Sequence, residues 1–62
     1  PSRAARALNT ERRLKQAIKS CRCADARRHF GRLQRLDADR ARRVGTSLRM
    51  ACDVVGMGCN AR

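Results

Sequence analysis

The sequence is poor in aromatic side chains. Among its 62 residues Phe30 is the only aromatic one, and Trp and Tyr are absent. The large aliphatic side chains are few, and much of the remaining apolar fraction is Ala. A chain of this length buries only about 60% of its unfolded surface. The core is therefore thin, and a cross-link, a metal ion or a larger partner is expected to add stability.

Two further absences exclude whole fold classes. No apolar run approaches the roughly 20 residues that a membrane-spanning helix requires. No segment alternates polar and apolar residues as a half-buried strand does, and the apolar residues recur at helical spacing instead. The sequence predicts an all-α fold with three short helices and no sheet. Residues 9–62 are expected to form one small helical domain.

Groups typical of an active site are also missing. The sequence contains no Ser/His/Asp set, no phosphate-binding loop and no metal-binding helix motif. His29 beside Phe30 is interpreted as a partly exposed helix residue. Asp37 and Asp39 are interpreted as helix caps, because an acid–base pair at these positions would lack a pocket. We predict no enzymatic activity and no cofactor.

Residues 1–8 are expected to form a basic flexible arm, because this stretch contains arginine and no acid. Asn9 or Thr10 is a suitable N-cap for a first helix, with Glu11 in its first turn. The arm, PSRAARAL, has the composition of an organellar targeting segment, and an opening at Pro1 rather than Met favours a processed chain or a fragment. A mitochondrion or plastid is the expected location.

Two linkers divide the remaining helical pattern. Cys21-Arg22-Cys23 is interpreted as a corner, and Asp25 falls in the first turn of the second helix. The stretch 36–39 links the second helix to a third, which starts either at Asp39 or only at Gly45. We favour a bend near Gly45, and we expect this helix to end at Gly56. The apolar side chains expected to hold the helices together are Leu14, Ile18, Phe30, Leu33, Leu48 and Val55.

Positive charge is the strongest compositional feature. Sixteen Lys and Arg face five acidic residues, the formal net charge is +11, and fourteen of the sixteen are Arg. Arg binds phosphate bidentately, and a polyanion relieves one-sided charge while releasing its counterions. Nucleic acid is therefore the leading partner class, ahead of an anionic membrane and of a merely solvated surface. The predicted phosphate contacts are Arg12, Arg13, Lys15, Lys19, Arg27, Arg28, Arg32, Arg35, Arg40, Arg42 and Arg43.

The C-terminal part of the sequence carries a recognisable motif. It reads Val44-Gly45-Thr46-Ser47-Leu48, then Gly56, and closes with Asn60-Ala61-Arg62. These residues resemble the plant-type, short-motif pentatricopeptide repeat, in which the closing residues start a second helix. Upstream, the stretch 25–30 resembles the start of the second helix of such a repeat, and the stretch 36–39 resembles the link between repeats.

The resemblance implies about one and a half helical repeats that bind single-stranded RNA. In that family each repeat reads one base with two or three side chains, mostly in organelles. Thr46 matches a base-contacting position, and Lys15 matches the same position in the upstream unit. One and a half units imply non-specific contact within a larger ribonucleoprotein, such as an organellar ribosome.

The four cysteines have three interpretations. Free thiols at small, buried helix positions are favoured, because the resemblance implies them for Cys21 and Cys52. Two disulfides among Cys21, Cys23, Cys52 and Cys59 are the second interpretation, and they would favour a secreted, cationic helical peptide such as a toxin, an antimicrobial or a receptor ligand. A zinc-bound module is the third. Cys-x-Cys and Cys-x6-Cys differ from the Cys-x2-Cys pairs of zinc ribbons, so no metal is predicted.

Overall fold

The computed structural model describes residues 2–61. Its elements are α1 (Arg3–Lys19), α2 (Cys23–Leu36), α3 (Ala38–Cys52) and a 3-10 helix at Gly58–Asn60. This part of the chain contains no strand, and the predicted all-α class with three helices is confirmed. Pro1 of the predicted arm and Arg62 of the repeat-like stretch lie outside the described residues.

Helix α2 runs antiparallel to both of its neighbours. At one end, Arg3 of α1 donates hydrogen bonds to the carbonyl oxygens of Arg35, at 2.7 Å, and Leu36, at 3.1 Å, at the end of α2. At the other end, Arg27 of α2 pairs with Asp53, which follows α3, at 2.9 Å. The three helices therefore alternate in direction and form an elongated body of 40 × 18 × 12 Å.

Helix α1 begins six or more residues earlier than the sequence predicts. Ser2 is its N-cap, and the backbone N–H of Ala5 donates to Ser2 Oγ at 3.1 Å. Ala7 is buried in the core. The prediction of a flexible arm is wrong for residues 3–8, because an N-cap serine followed by alanines strongly favours a helix. Asn9 and Thr10, the predicted caps, lie within α1.

The core is built from small and aliphatic side chains. Leu14 and Leu33 are its largest fully buried side chains, and buried alanines on all three helices allow the helices to approach closely. Ile18 and Phe30 are half-buried against it, as expected. The buried apolar residues are Ala7, Leu14, Ala17, Ala26, Leu33, Ala41, Val44, Leu48 and Cys52. Val55, predicted to be in the core, is 92% exposed because it follows the end of α3.

Both predicted linkers are confirmed as helix boundaries. The chain turns between α1 and α2 at Cys21, whose φ of 55° ends the helical path. Asp37 alone connects α2 to α3 in an extended conformation, and its carboxylate accepts a hydrogen bond from the backbone N–H of Arg40 at 3.1 Å. Asp37 is thus the N-cap of α3, as predicted. The same prediction is wrong for Asp39, which lies in the first turn of α3.

Helix α3 is continuous from Ala38 to Cys52, so the predicted bend at Gly45 is wrong. The missing side chain at Gly45 instead leaves room for a neighbouring helix to pack closely. A Cβ atom at Gly45 would lie 3.1 Å from Cε1 of Phe30, which is tighter than ordinary van der Waals contact. Phe30 of α2 therefore packs against the backbone of α3. The helix ends at Cys52, with Asp53 as C-cap, rather than at Gly56.

The segment after α3 folds back over the end of that helix. Gly58 has a φ of +53°, and a Cβ atom there would lie 2.6 Å from Cα of Ala51. The side chain of Asn60 donates to the carbonyl oxygen of Cys52 at 2.9 Å. The predicted second helix of the repeat-like stretch is replaced by a single 3-10 turn at Gly58–Asn60, up to the last described residue, Ala61.

Candidate functional site

All four cysteines form disulfides, at the end of the molecule where α1 meets α2 and where α3 ends. Cys21 is bonded to Cys59, and Cys23 is bonded to Cys52. Their Cα atoms are 5.5 Å and 5.9 Å apart, the usual separation for a disulfide. The favoured prediction of free thiols is wrong, because folding places the two cysteines of the corner beside Cys52, which ends α3, and Cys59, which lies in the 3-10 turn.

Glu11 is the least exposed acidic residue, and it lies between two cations. Its carboxylate accepts from Arg40 at 2.6 Å and pairs with Lys15 at 3.1 Å. The hydrogen bond from Arg40 is the main cause that lowers the pKa of Glu11 below its usual value of 4.5. The backbone hydrogen bond from Arg40 likewise lowers the pKa of Asp37. These contacts bind α3 to α1 and to the link after α2.

The other acidic residues are also ion-paired. Asp25 pairs with Arg28, Asp39 with Arg42 at 3.9 Å, and Asp53 with Arg27. Five of the predicted phosphate contacts are thus paired with carboxylates: Lys15, Arg27, Arg28, Arg40 and Arg42. Arg40, whose side chain is one-third exposed, contacts two carboxylates and therefore acts in the fold. The others reach solvent beside their partners.

An arginine-lined groove lies between α1 and α2. Positions 6, 9, 10 and 13 of α1 share one helix face, and positions 32, 35 and 36 of α2 face them. The groove has a volume of about 380 Å³, and no carboxylate lines it within residues 2–61. Its lining residues are Arg6, Asn9, Thr10, Arg13, Arg32, Arg35 and Leu36. We refer to this feature as the arginine groove.

The arginine groove contains three of the predicted phosphate contacts, Arg13, Arg32 and Arg35. Arg6 was missed, because it belongs to the stretch expected to be a flexible arm. The helical spacing of the sequence could have identified Arg6, since Arg6 and Arg13 are two helical turns apart on one face. The remaining predicted contacts, Arg12, Lys19 and Arg43, are exposed outside this groove and have no ion pair in the part of the chain that the structure describes.

Thr46 lies in a different groove, between α2 and α3. Its volume is about 640 Å³, and its lining includes Phe30, Arg42, Arg49 and Asp53. Thr46 is exposed and lies within α3 rather than at a helix start. The predicted base contact and the arginine groove are therefore separate features. His29 is half-buried on α2 and lines neither groove.

Comparison with protein-family models, with curated protein sequences and with solved structures found no match for this chain. The resemblance to the pentatricopeptide repeat stays a prediction. Among residues 2–61, no helix combines the length and the apolar character that are needed to cross a membrane. The charge and the shape of the molecular surface, above all in the arginine groove, are therefore the basis for inferring the function.

Proposed function

We propose that this protein is a non-catalytic, RNA-associated helical protein that binds the phosphate backbone in the arginine groove. The observation that supports the proposal is that the paired and the unpaired charges of residues 2–61 lie in different places. The five acidic side chains are ion-paired, whereas Arg6, Arg13, Arg32 and Arg35 line a groove that no carboxylate of residues 2–61 enters. Four arginines therefore lie together, without a neighbouring carboxylate in the described part of the chain, where an extended anion can bind.

The arrangement of the arginines favours a polyanion over a single small anion. Arg6 and Arg13 are separated by about 10 Å along α1, since a helix rises about 1.5 Å per residue. Arg32 and Arg35 face them from α2. Each guanidinium can donate two hydrogen bonds to one phosphate, and an anion with several phosphates can contact both helices at once. Phosphate contacts of this kind position a strand without reading its sequence.

A larger ribonucleoprotein, such as an organellar ribosome, is the setting that we propose. The core of this chain is thin, and a net charge of +11 opposes compaction, so an RNA surface would stabilise the folded state. In this setting Thr46 would contact a base from the second groove, next to Phe30 and Arg49. Lys15 would contribute less to RNA binding, because Glu11 already neutralises part of its charge.

A salt titration of RNA binding tests the proposal. Binding of the full, oxidised chain to a short single-stranded RNA is measured by fluorescence anisotropy at increasing salt. The double variant Arg13→Gln/Arg32→Gln is expected to bind roughly tenfold more weakly, and its log–log salt slope is expected to fall by about 1.4, which is about 0.7 for each lost phosphate contact. The slope counts the phosphates that the protein neutralises.

The matched control is Lys15→Gln/Arg28→Gln. It removes the same charge, but from cations that are paired with Glu11 and Asp25 and that line neither groove. We expect this control to retain most of the affinity and of the salt slope. Equal losses in both double variants would indicate attraction by net charge alone, and an affinity that does not depend on salt would overturn the RNA proposal.

A second candidate function belongs to another class. The two disulfides favour an oxidising compartment, and a secreted cationic helical peptide that acts on anionic membranes or on a receptor would use the same charge. Leakage of dye from vesicles of anionic and of neutral lipid separates the two functions. Leakage from anionic vesicles without measurable RNA affinity would favour the secreted peptide, whereas RNA binding without leakage would favour the first proposal.

A further inference from the structure

The two disulfides are close neighbours. The sulfur atoms of Cys23, Cys52 and Cys59 all lie within 4.8 Å of one another, although they belong to both disulfides. The fourth sulfur, of Cys21, is bonded to that of Cys59. Four sulfur atoms from three parts of the chain therefore meet at one end of the helical body. This end lies opposite the part of the arginine groove that is nearest the start of α1.

A compact group of four cysteine sulfurs has the composition of a structural zinc site. In such a site four thiolates surround the ion at about 2.3 Å, so neighbouring sulfurs are roughly 3.8 Å apart. The sulfurs of Cys23, Cys52 and Cys59 already lie within 4.8 Å of one another, and reduction of both disulfides lets the bonded sulfurs move apart toward that separation. Cys23 and Cys52 belong to α2 and α3, whereas Cys21 lies in the turn after α1 and Cys59 in the 3-10 turn.

We propose that the reduced form of this protein binds one Zn²⁺ ion through Cys21, Cys23, Cys52 and Cys59, so that metal and disulfides are alternative cross-links at the same place. A dithiol transfers two electrons and two protons to each disulfide and is itself oxidised to a disulfide. The four resulting thiols then release their protons as Zn²⁺ binds. The metal replaces the covalent links between the α1–α2 corner and the end of α3.

The local charge favours this site. Cys23 is the first residue of α2, where the helix dipole stabilises a thiolate, and Arg22 is its neighbour. A zinc ion with four thiolates has a formal charge of about −2. The net charge of +11 on the chain offsets that charge. The spacing of the cysteines along the sequence does not match a zinc ribbon, and only the fold brings both pairs together.

A metal titration of the full chain tests the site. The protein is reduced with a phosphine, freed of reductant without oxygen and titrated with Co²⁺, whose visible absorption reports tetrahedral thiolate ligands. We expect one equivalent to bind, Zn²⁺ to displace it, and the oxidised protein to show no such absorption. Loss of a residue that supports a metal ligand weakens metal binding by roughly 10–100-fold. The Cys21→Ser variant removes a ligand itself, so its affinity for the metal should fall by more than that. Ser20→Ala is the matched control and should bind unchanged.

Circular dichroism separates a folded site from loose binding. If the reduced chain is helical without metal, a helical signal that is kept with one equivalent of Zn²⁺ supports the proposal. If the reduced chain is unfolded without metal, a helical signal that is regained with one equivalent of Zn²⁺ supports it. Zn²⁺ binding that is equally tight in denaturant and restores no helix would overturn it. Absence of the tetrahedral Co²⁺ absorption from the reduced protein would also overturn it.

Discussion

Arg40 connects the three helices through charge. Its guanidinium on α3 donates to Glu11 of α1 at 2.6 Å, and its Nε lies 3.5 Å from the carboxylate of Asp37, which links α2 to α3. Contact with Glu11 is the main cause that raises the pKa of Arg40, so the arginine stays charged. Among the eleven predicted phosphate contacts, this residue therefore has a structural role that the sequence did not reveal.

We expect Arg40→Gln to lower the free energy of unfolding by clearly more than Arg42→Gln does, because it leaves the carboxylate of Glu11, whose side chain is 12% exposed, without its strongest partner. The comparison is Arg42→Gln. This substitution removes the same charge from a pair with Asp39 that is more than 80% exposed on both sides, and it should cost less than about 0.5 kcal/mol. Chemical denaturation monitored by circular dichroism measures both. Equal losses would show that the Arg40–Glu11 contact is not special.

Glu11 makes stability dependent on pH. Its pKa in the folded state is below the usual 4.5, so the unfolded chain binds more protons as the pH falls through this region. The stabilisation is present in full above about pH 4.5 and is lost as the pH falls toward the lowered pKa of the folded state. Denaturation at neutral pH and near pH 3 should show this loss. Glu11→Gln should show a smaller loss, and an unchanged pH dependence would contradict the assignment.

At the scale of secondary-structure elements, two helical glycines have opposite roles. A Cβ atom at Gly31 of α2 would meet nothing within 4 Å, whereas one at Gly45 of α3 would press on the ring of Phe30. Gly31 therefore only weakens its helix, since glycine costs about 1 kcal/mol relative to alanine. Gly45 allows the single aromatic residue of the chain to pack between two helices.

The same substitution at the two sites separates propensity from packing. Gly31→Ala is expected to raise the free energy of unfolding by about 0.5–1 kcal/mol. Gly45→Ala gains the same propensity but displaces Phe30, so it should give no net gain or a loss. Chemical denaturation of both variants provides the measurement. A gain at Gly45 as large as that at Gly31 would mean that Phe30 shifts without cost.

At the scale of the whole molecule, the disulfides compensate for the thin core. They close segments of 38 and 29 residues between the α1–α2 corner and the C-terminal part of the chain. In the chain-entropy model, cross-links of this span each contribute about 3.5–4 kcal/mol. That is a large share of the stability expected for a small domain. The helices therefore depend on cross-links at one end of the body.

Removal of a cross-link should show this dependence. Cys23→Ala/Cys52→Ala is expected to lose about 3.5 kcal/mol or more, because it opens the link between α2 and α3 and also replaces the buried Cys52. Thermal and chemical denaturation measure the loss. Intact mass gives the control, since reduction of the natural chain should add about 4 Da and reduction of the variant about 2 Da. An unchanged melting temperature would contradict the structural role of this disulfide.

Local signals predicted the helices well and their ends poorly. The apolar spacing that contains Leu14, Leu33 and Leu48 identified the core faces, and Asp37 was recognised as a cap. The start of α1 was missed because charge near Arg3 and Arg6 was interpreted as disorder. Both arginines are instead held on a helix, and Arg3 contacts the end of α2. Whether a basic segment is an arm depends on what it packs against.

Sequence alone determined the helical class, the excess of arginine and the cap at Asp37, because each follows from composition or from residues within one or two turns of each other. Only the tertiary structure decided the cysteine pairing, the ion pairs of Arg27 with Asp53 and of Arg40 with Glu11, and which arginines line a groove. The physical reason is distance along the chain. These contacts join residues about 20 to 40 positions apart, and they form only when the helices pack.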